Sequence, residues 1–183
     1  MNKILGFLSV YFITASCFAM NGGSGVLADV GIFKFDTETS GLIIGTGKTA
    51  NTYYDLKVGY VTSSNLYLGG IYSAYTQDNG SNQQRRTLYG LTVGYHNMGW
   101  IFDGSYLIDG QLDNGFNVLM RKGTGFGVDI GYQYFLNTNF FIGGTGSYKS
   151  YTFSEYAAGG VTTTADNKVK SELYPMILLG FMF

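Results

Sequence analysis

The most regular feature of the chain is an alternation of apolar and polar residues over segments of about ten residues. In one segment glycines, Asp129 and Gln133 alternate with an apolar set: Phe126, Val128, Ile130, Tyr132 and Tyr134. Because successive side chains of a strand point to opposite faces, this pattern predicts strands with one apolar and one polar face. No stretch after the first residues shows sustained helical periodicity, so the predicted fold is all-β.

About eight such strands are predicted. They cover approximately residues 26–36, 52–62, 66–77, 85–96, 100–111, 125–134, 140–153 and 173–183. Short polar turns near 63–65, 97–99 and 137–139 alternate with longer polar loops near 37–50, 78–84, 112–121 and 154–169. An even number of strands joined in this way indicates an antiparallel, up-and-down arrangement.

The last segment, Leu173 to Phe183, is apolar at every second position back from the terminus and carries no charge on its other face. A terminal Phe183 preceded by Phe181 and further alternating apolar residues resembles the C-terminal signal by which bacterial outer-membrane β-barrels are recognised for insertion. The alternative is a buried central strand of a soluble sheet. Pro175 argues against that alternative, because proline lacks the N–H that a central strand donates.

The first residues have the pattern of a secretory signal peptide. Lys3 precedes an apolar run from Ile4 to Ala15, and small residues allow cleavage after Ala19. Residues 1–19 are therefore predicted to be removed, leaving residues 20–183 as one domain. Cys17 is the single cysteine, which excludes an intrachain disulfide. A lipoprotein signal cleaved before Cys17 is the competing interpretation, with a less typical Thr14 upstream.

The composition agrees with a sheet that has one face in lipid. The chain has 28 Gly, 16 Tyr and 14 Phe but only 13% charged residues, fewer than a soluble domain normally displays. Tyr and Trp suit the water interfaces of a membrane. The formal net charge of −1 offers no basic surface for a nucleic-acid partner.

Together these segments resemble the OmpA/OmpX-type small outer-membrane proteins, which are porin-like barrels of Gram-negative bacteria. The resemblance implies an eight-stranded antiparallel up-and-down transmembrane β-barrel in the outer membrane. It also implies outer-membrane lipid as a partner. The barrel-insertion machinery would bind the C-terminal strand through Phe181 and Phe183.

Eight closed strands leave an interior that side chains just fill. The polar faces are expected to place eight charged residues inside: Asp55, Lys57, Arg86, Asp103, Asp109, Asp129, Lys149 and Glu172. Unpaired buried charges are costly, so a network of salt bridges that plugs the lumen is expected. A gated ion path or binding site built from the same residues is the alternative.

The sequence predicts no enzyme. His96 is the one histidine, and the lipid A deacylase barrels carry a His-x-Ser pair, whereas Met98 stands two residues after His96. His96 is interpreted as a turn or interface residue. Neither a metal site nor a cofactor motif is predicted, because one histidine and scattered acids form no ligand spacing.

Two functions remain. The first is a structural or surface-interaction role, with an extracellular ligand bound by the loops. The second is a narrow channel or binding barrel for a small, hydrophobic molecule, as in OmpW-like barrels. Inward-facing Tyr174, Met176 and Leu178, together with residues 41–45, would line its greasy mouth.

Overall fold

The structure is a computed structural model that describes residues 24–41, 45–116, 118–164 and 169–183. Those residues form nine strands: β1 Gly25–Gly41, β2 Gly45–Val61, β3 Leu66–Asp78, β4 Gln83–Asn97, β5 Trp100–Asp113, β6 Val118–Phe135, β7 Phe140–Ala158, β8 Val161–Thr164 and β9 Lys170–Met182. The prediction of an all-β fold is confirmed for this part of the chain. It holds no helix long and apolar enough to cross a membrane. The predicted signal peptide with Cys17, and residues 42–44 of the predicted greasy mouth, lie outside the described residues.

The strands form one antiparallel sheet whose hydrogen-bonded neighbours close on themselves. Each strand from β1 to β7 pairs with the next one along the chain. Strand β9 pairs with β7 on one side and with β1 on the other, so eight strands form a ring. The short β8 pairs with the end of β7. The sheet therefore has one strand more than predicted, because the segment expected to be a polar loop, 154–169, contains β8.

The two ends of the ring differ in their connections. One end, which we call the turn end, carries the short turns 62–65, 98–99 and 136–139. Met98 and Gly99 have φ angles of 50° and 87°, as a two-residue hairpin turn of type I′ requires. In the last turn Asn137 Oδ1 accepts hydrogen bonds from the backbone N–H groups of Asn139 and Phe140. The opposite end, the loop end, carries the connections 79–82 and 159–160 and the described residues 114–116 of the connection between β5 and β6.

Strand β6 illustrates how the strands separate their two faces. Val128 and Ile130 are 42% and 52% exposed, whereas Asp129 between them is 2% exposed. The other ring strands also place many large apolar side chains outside, while their buried side chains include both polar and apolar ones. So many exposed apolar side chains beside buried charges are unusual for a soluble protein.

The exposed apolar side chains surround the ring as a belt, which we call the apolar band. Aromatic residues lie at both edges of the band. On two strands a tyrosine stands on each side of two aliphatic residues: Tyr54, Leu56, Val58 and Tyr60 on β2, and Tyr89, Leu91, Val93 and Tyr95 on β4. At the turn end Trp100 meets Tyr132 edge-on, with ring centroids 5.4 Å apart.

Toward the loop end the strands continue beyond the apolar band, so the loops are shorter than predicted. Strand β1 runs to Gly41 and β2 begins at Gly45, which makes most of the predicted loop 37–50 a hairpin. The predicted loop 112–121 likewise shrinks to the connection 114–117. The extension of β1 and β2 is rich in Thr, Ser, Gly and charged residues, so the apolar alternation that marks a half-buried strand is absent there.

Three groups of buried apolar side chains fill parts of the interior. One closes the turn end: Leu27, Val61, Tyr67 and Phe141, with Phe135 and Met182 against it. A second lies along β3 to β7: Ile71, Leu88, Leu107, Leu112, Tyr151 and Phe153, with Met120 against it. The third surrounds Tyr53: Tyr174 and Met176, with Phe33 and Tyr75 against it. Polar side chains occupy the space between these groups.

Candidate functional site

The charged residues predicted to face inward lie inside the ring, with one exception. Six are buried: Asp55, Lys57, Arg86, Asp103, Asp129 and Lys149. The side chain of Glu172 is 20% exposed and pairs with Arg86. Asp109 is exposed. The structure therefore brings seven of the eight residues together, in three ion-paired groups stacked between the turn end and the loop end.

The prediction that Asp109 faces inward is wrong. The pairing of β4 with β5 shifts by one residue at this level, since Tyr89 lies opposite Asp109 and Gly90 opposite Leu107. Ile108 is the extra residue of a β-bulge, which reverses the faces of the residues that follow. Leu112 is consequently buried, and Asp109 points outward toward the loop end.

The first group, the turn-end charge cluster, is formed by Lys57, Asp29, Asp103, Asp129 and His96. Asp103 and Asp129 lie directly opposite each other on β5 and β6, a placement in which like charges repel. Lys57 Nζ lies 2.6 Å from Asp103 Oδ2 and 2.8 Å from Asp129 Oδ2. Asp29 is the cross-strand partner of Lys57. One ammonium group thus pairs with two buried carboxylates, and the buried Asp29 lies beside it on the neighbouring strand.

His96 belongs to this cluster, so its interpretation as a turn or interface residue is wrong. It is 1% exposed, and its Nε2 lies 2.8 Å from Asp103 Oδ1. Its ring stacks on Tyr67 at a centroid distance of 4.9 Å. The other ring nitrogen, Nδ1, has no hydrogen-bond partner among the described residues. A nucleophile for a Ser-His-Asp arrangement is therefore not in place there.

The second group joins β2 to β7 across the interior. Lys149 Nζ donates to Asp55 Oδ2, to Tyr174 Oη at 2.6 Å and to Ser147 Oγ at 3.2 Å. Lys149 and Asp55 are both buried and carry opposite charges. The group is balanced, and its hydrogen bonds satisfy all three protons of the ammonium.

The third group lies nearer the loop end and is held by aromatic residues. Arg86 Nη1 donates to Glu172 Oε2 and to Tyr151 Oη at 3.0 Å. Tyr151 in turn donates to Glu172 Oε1 at 2.6 Å. The guanidinium carbon lies 4.9 Å from the ring centroid of Tyr151 and 5.6 Å from that of Tyr75, distances typical of cation–π contacts. This group is also balanced in charge.

The charge is therefore uneven along the interior. The second and third groups each hold one cation and one anion, whereas the turn-end charge cluster holds three acids against one lysine. Asp129 Oδ1 and both amide atoms of the buried Gln133 have no hydrogen-bond partner among the described residues. Even so, the described part of the chain has no group of three or more His, Cys, Asp or Glu side chains placed to hold a metal ion.

The loop end has a different character, because an open cavity of about 290 Å³ lies there. Its lining contains no charged side chain: Thr49, Gln77, Asn79, Asn82, Gln84, Asn114 and Phe116. We call this cavity the amide mouth. It differs from the greasy mouth that the channel alternative requires.

The sequence did not single out Asp29, His96 or the tyrosines as partners in the network. One signal was available for His96. It lies an even number of residues from the inward-facing Arg86 on β4, so the two side chains point to the same face. The tyrosines gave the same signal, since Tyr151 shares the inward face of Lys149 on β7 and Tyr174 was predicted to face inward. Only the tertiary structure shows which tyrosine hydroxyl meets a charge.

A comparison with protein-family models found no match, and a search of curated proteins found no relative.

Proposed function

We propose that the chain is an integral outer-membrane protein whose eight ring strands form a transmembrane β-barrel with a plugged lumen. Its role is structural or one of surface interaction. The observation that carries this proposal is the apolar band, which exposes apolar side chains on every ring strand while seven charged side chains are buried inside the ring. Such a surface is stable against hydrocarbon and unfavourable in water.

The dimensions of the band support a membrane location. On β6 the outward apolar positions run from Phe126 to Tyr134, which matches the roughly 9–11 residues that a tilted strand needs to cross a bilayer. Aromatic residues at both edges correspond to the two water interfaces. In this orientation the turn end faces the periplasm and the loop end faces outward.

The C-terminal strand supports insertion by the barrel-assembly route. Phe181 and Phe183, the residues of the predicted insertion signal, are 48% and 74% exposed. Backbone hydrogen bonds between Phe183 and Val26, at 2.8 and 3.0 Å, join the C-terminus to β1. The aromatic side chains therefore remain available to a receptor while the backbone closes the ring.

The packing favours a plug over a path for a hydrophobic molecule. Tyr174 and Met176, which would line that path, are buried against Tyr53. The rings of Tyr53 and Tyr174 stack with centroids 4.0 Å apart. Ion pairs and apolar side chains both occupy the interior, which supports a plug, so we expect the loops to carry the interaction with the outside.

A pair of arginine substitutions on one face of β6 tests the membrane location. Ile130 lies at the centre of the apolar band, and Thr124 is exposed on the same strand beyond the band. Arginine at a bilayer midplane costs about 2–4 kcal/mol, and near the interface about 0–1 kcal/mol. We expect Ile130→Arg to lower the free energy of unfolding in lipid vesicles by the larger amount and Thr124→Arg by the smaller.

Fractionation of a Gram-negative host that expresses the full chain is the companion measurement. We expect the protein in the outer-membrane fraction, with an electrophoretic mobility that changes when the sample is heated. Recovery in the soluble fraction, together with equal effects of the two arginine substitutions, would refute the proposal.

A further inference from the structure

The amide mouth is a built cavity at the loop end, and the charge network does not reach it. Strands β2, β3 and β4 supply three inward residues, Thr49, Gln77 and Gln84, and the connections 79–82 and 114–117 supply the rest. Gln77 and Gln84 are directly opposite each other across β3 and β4. Two carboxamides thus project side by side into the opening of the ring.

Hydrogen bonds hold the two connections that wall the cavity. Asn82 Nδ2 donates to the carbonyl oxygen of Asn114 at 2.9 Å, which ties the β3–β4 connection to the β5–β6 connection. The backbone N–H of Asn82 donates to Asn79 Oδ1 at 2.7 Å. The walls of the amide mouth are therefore partly fixed before a ligand arrives, which lowers the entropy cost of binding.

The chemistry of the lining selects a class of ligand. The lining has five carboxamides, a group that can both donate and accept hydrogen bonds, as vicinal hydroxyl groups require. Asn79, Asn82 and Asn114 also use part of this capacity to hold the connections, whereas Gln77 and Gln84 project from the strands. The lining offers no charged side chain to a phosphate, a carboxylate or a cation. Phe116, 70% exposed at the rim, offers an apolar ring face to the C–H groups of a flat ligand.

We propose that the amide mouth binds a neutral saccharide, with the carboxamides contacting its hydroxyl groups and Phe116 its apolar face. The volume suits a monosaccharide or disaccharide, at the lower end of ligand pockets of roughly 300–1,000 Å³. The proposal deepens the proposed surface-interaction role, and it rests on that role only in placing the loop end outside the cell. The same chemistry could be presented by a free sugar or by a lipid-linked glycan.

Calorimetry on protein purified from host membranes tests the proposal. Because alkyl glycoside detergents carry sugars, the protein is kept in an amine-oxide detergent. The probes are N-acetylglucosamine, galactose and maltose. We expect at least one to bind saturably with a Kd between about 10 μM and 1 mM.

Matched variants separate the cavity from the rest of the loop end. Gln84→Ala removes an inward carboxamide, and Gln83→Ala removes the outward carboxamide beside it on β4. Phe116→Ala removes the rim aromatic, and Val161→Ala removes an exposed apolar residue of β8. Loss of one good contact weakens binding about tenfold, so we expect this loss for Gln84→Ala and Phe116→Ala and less than about twofold for the other two.

Repeating the titration in nanodiscs separates the two sources of the sugar. If the sugar probe binds in discs of phospholipid alone but not in discs that contain lipopolysaccharide, the glycan of the lipopolysaccharide already occupies the cavity. If the probe binds equally in both kinds of disc, the ligand is a soluble sugar. The proposal is overturned if no probe and no lipopolysaccharide binds, or if Gln83→Ala weakens binding as much as Gln84→Ala. Heat-modifiable mobility of every variant shows that the barrel has folded, so failure of sugar binding is distinguishable from failure of the membrane proposal.

Discussion

At the scale of single residues, Lys57 decides whether the turn-end charge cluster can exist. Asp103 and Asp129 face each other on neighbouring strands, and Lys57 Nζ lies within 2.8 Å of both carboxylates. All three residues are buried. Removing one partner of a buried pair leaves an uncompensated charge, which is more costly than never having placed the pair there.

We therefore expect Lys57→Met to lower the free energy of unfolding by about 3–5 kcal/mol. Denaturant titration in lipid vesicles measures this change. Adding Asp129→Asn to Lys57→Met should recover part of the loss, because the repulsion with Asp103 is then removed. If Lys57→Met unfolds at the same denaturant concentration as the wild type, the buried lysine does not stabilise the cluster.

Asp36 provides a contrasting pair outside the apolar band. It is exposed near the loop end, and Lys48 Nζ lies 2.9 Å from its Oδ2. The hydrogen bond from Lys48 lowers the pKa of the Asp36 carboxyl below its ordinary value of 3.8. A lowered pKa stabilises the folded state above pH 3.8, and the effect is lost as the pH falls through the folded-state pKa.

We expect Lys48→Met to return the pKa of Asp36 toward 3.8. Carboxyl NMR titration of the refolded protein measures it. Because the pair is exposed, stability near neutral pH should hardly change. An Asp36 titration that is identical in the two proteins would contradict the ion pair.

At the scale of elements, the bulge in β5 sorts two aspartates of one strand to opposite faces. Asp103 precedes Ile108 and is buried, whereas Asp109 follows it and is exposed. The neighbouring strand β6 carries a matching irregularity, since Lys122 has a φ of 54° and Met120 packs inside. The outward Lys122 pairs with Glu155 at 2.5 Å. Both strands therefore exchange their faces at the same level.

Alanine at these two aspartates should have unequal effects. Asp103→Ala removes acceptors of both Lys57 and His96 and is expected to cost about 1–3 kcal/mol. Asp109→Ala removes an exposed side chain and should stay within about 0.5 kcal/mol of wild type. Unfolding in vesicles compares the two. Equal losses would mean that Asp109 faces inward after all.

At the scale of the whole molecule, the buried side chains lie in layers along the interior of the ring. The apolar group around Phe141 closes the turn end, and the three ion-paired groups lie above it. Eight strands leave room for little else. In the membrane orientation proposed above, such an interior separates periplasm from exterior.

The plugged transmembrane barrel proposed above should be silent in planar bilayers. We expect no stepwise openings from the wild-type protein. Replacing Tyr67 and Phe141 together by alanine removes the two largest side chains that close the turn end, so conductance should appear or rise in that variant. Stepwise wild-type openings would instead favour the channel alternative.

The sequence by itself determined the class of fold and much of the face assignment. Alternation has a period of two, which is local, so Lys57, Arg86, Asp103 and Lys149 could be assigned to the interior without knowing any contact. The same reasoning located the short turns. It failed at Asp109, because one inserted residue reverses the alternation and nothing local in the sequence marks it.

The tertiary structure alone decided which inward residues meet. Lys149 pairs with Asp55, 94 positions away, and Arg86 with Glu172, 86 positions away. Such partners depend on the stagger between strands and on closure of the ring, which no local pattern records. The same holds for His96 beside Asp103 and for the amide mouth, whose residues come together only where separate connections meet over the ring.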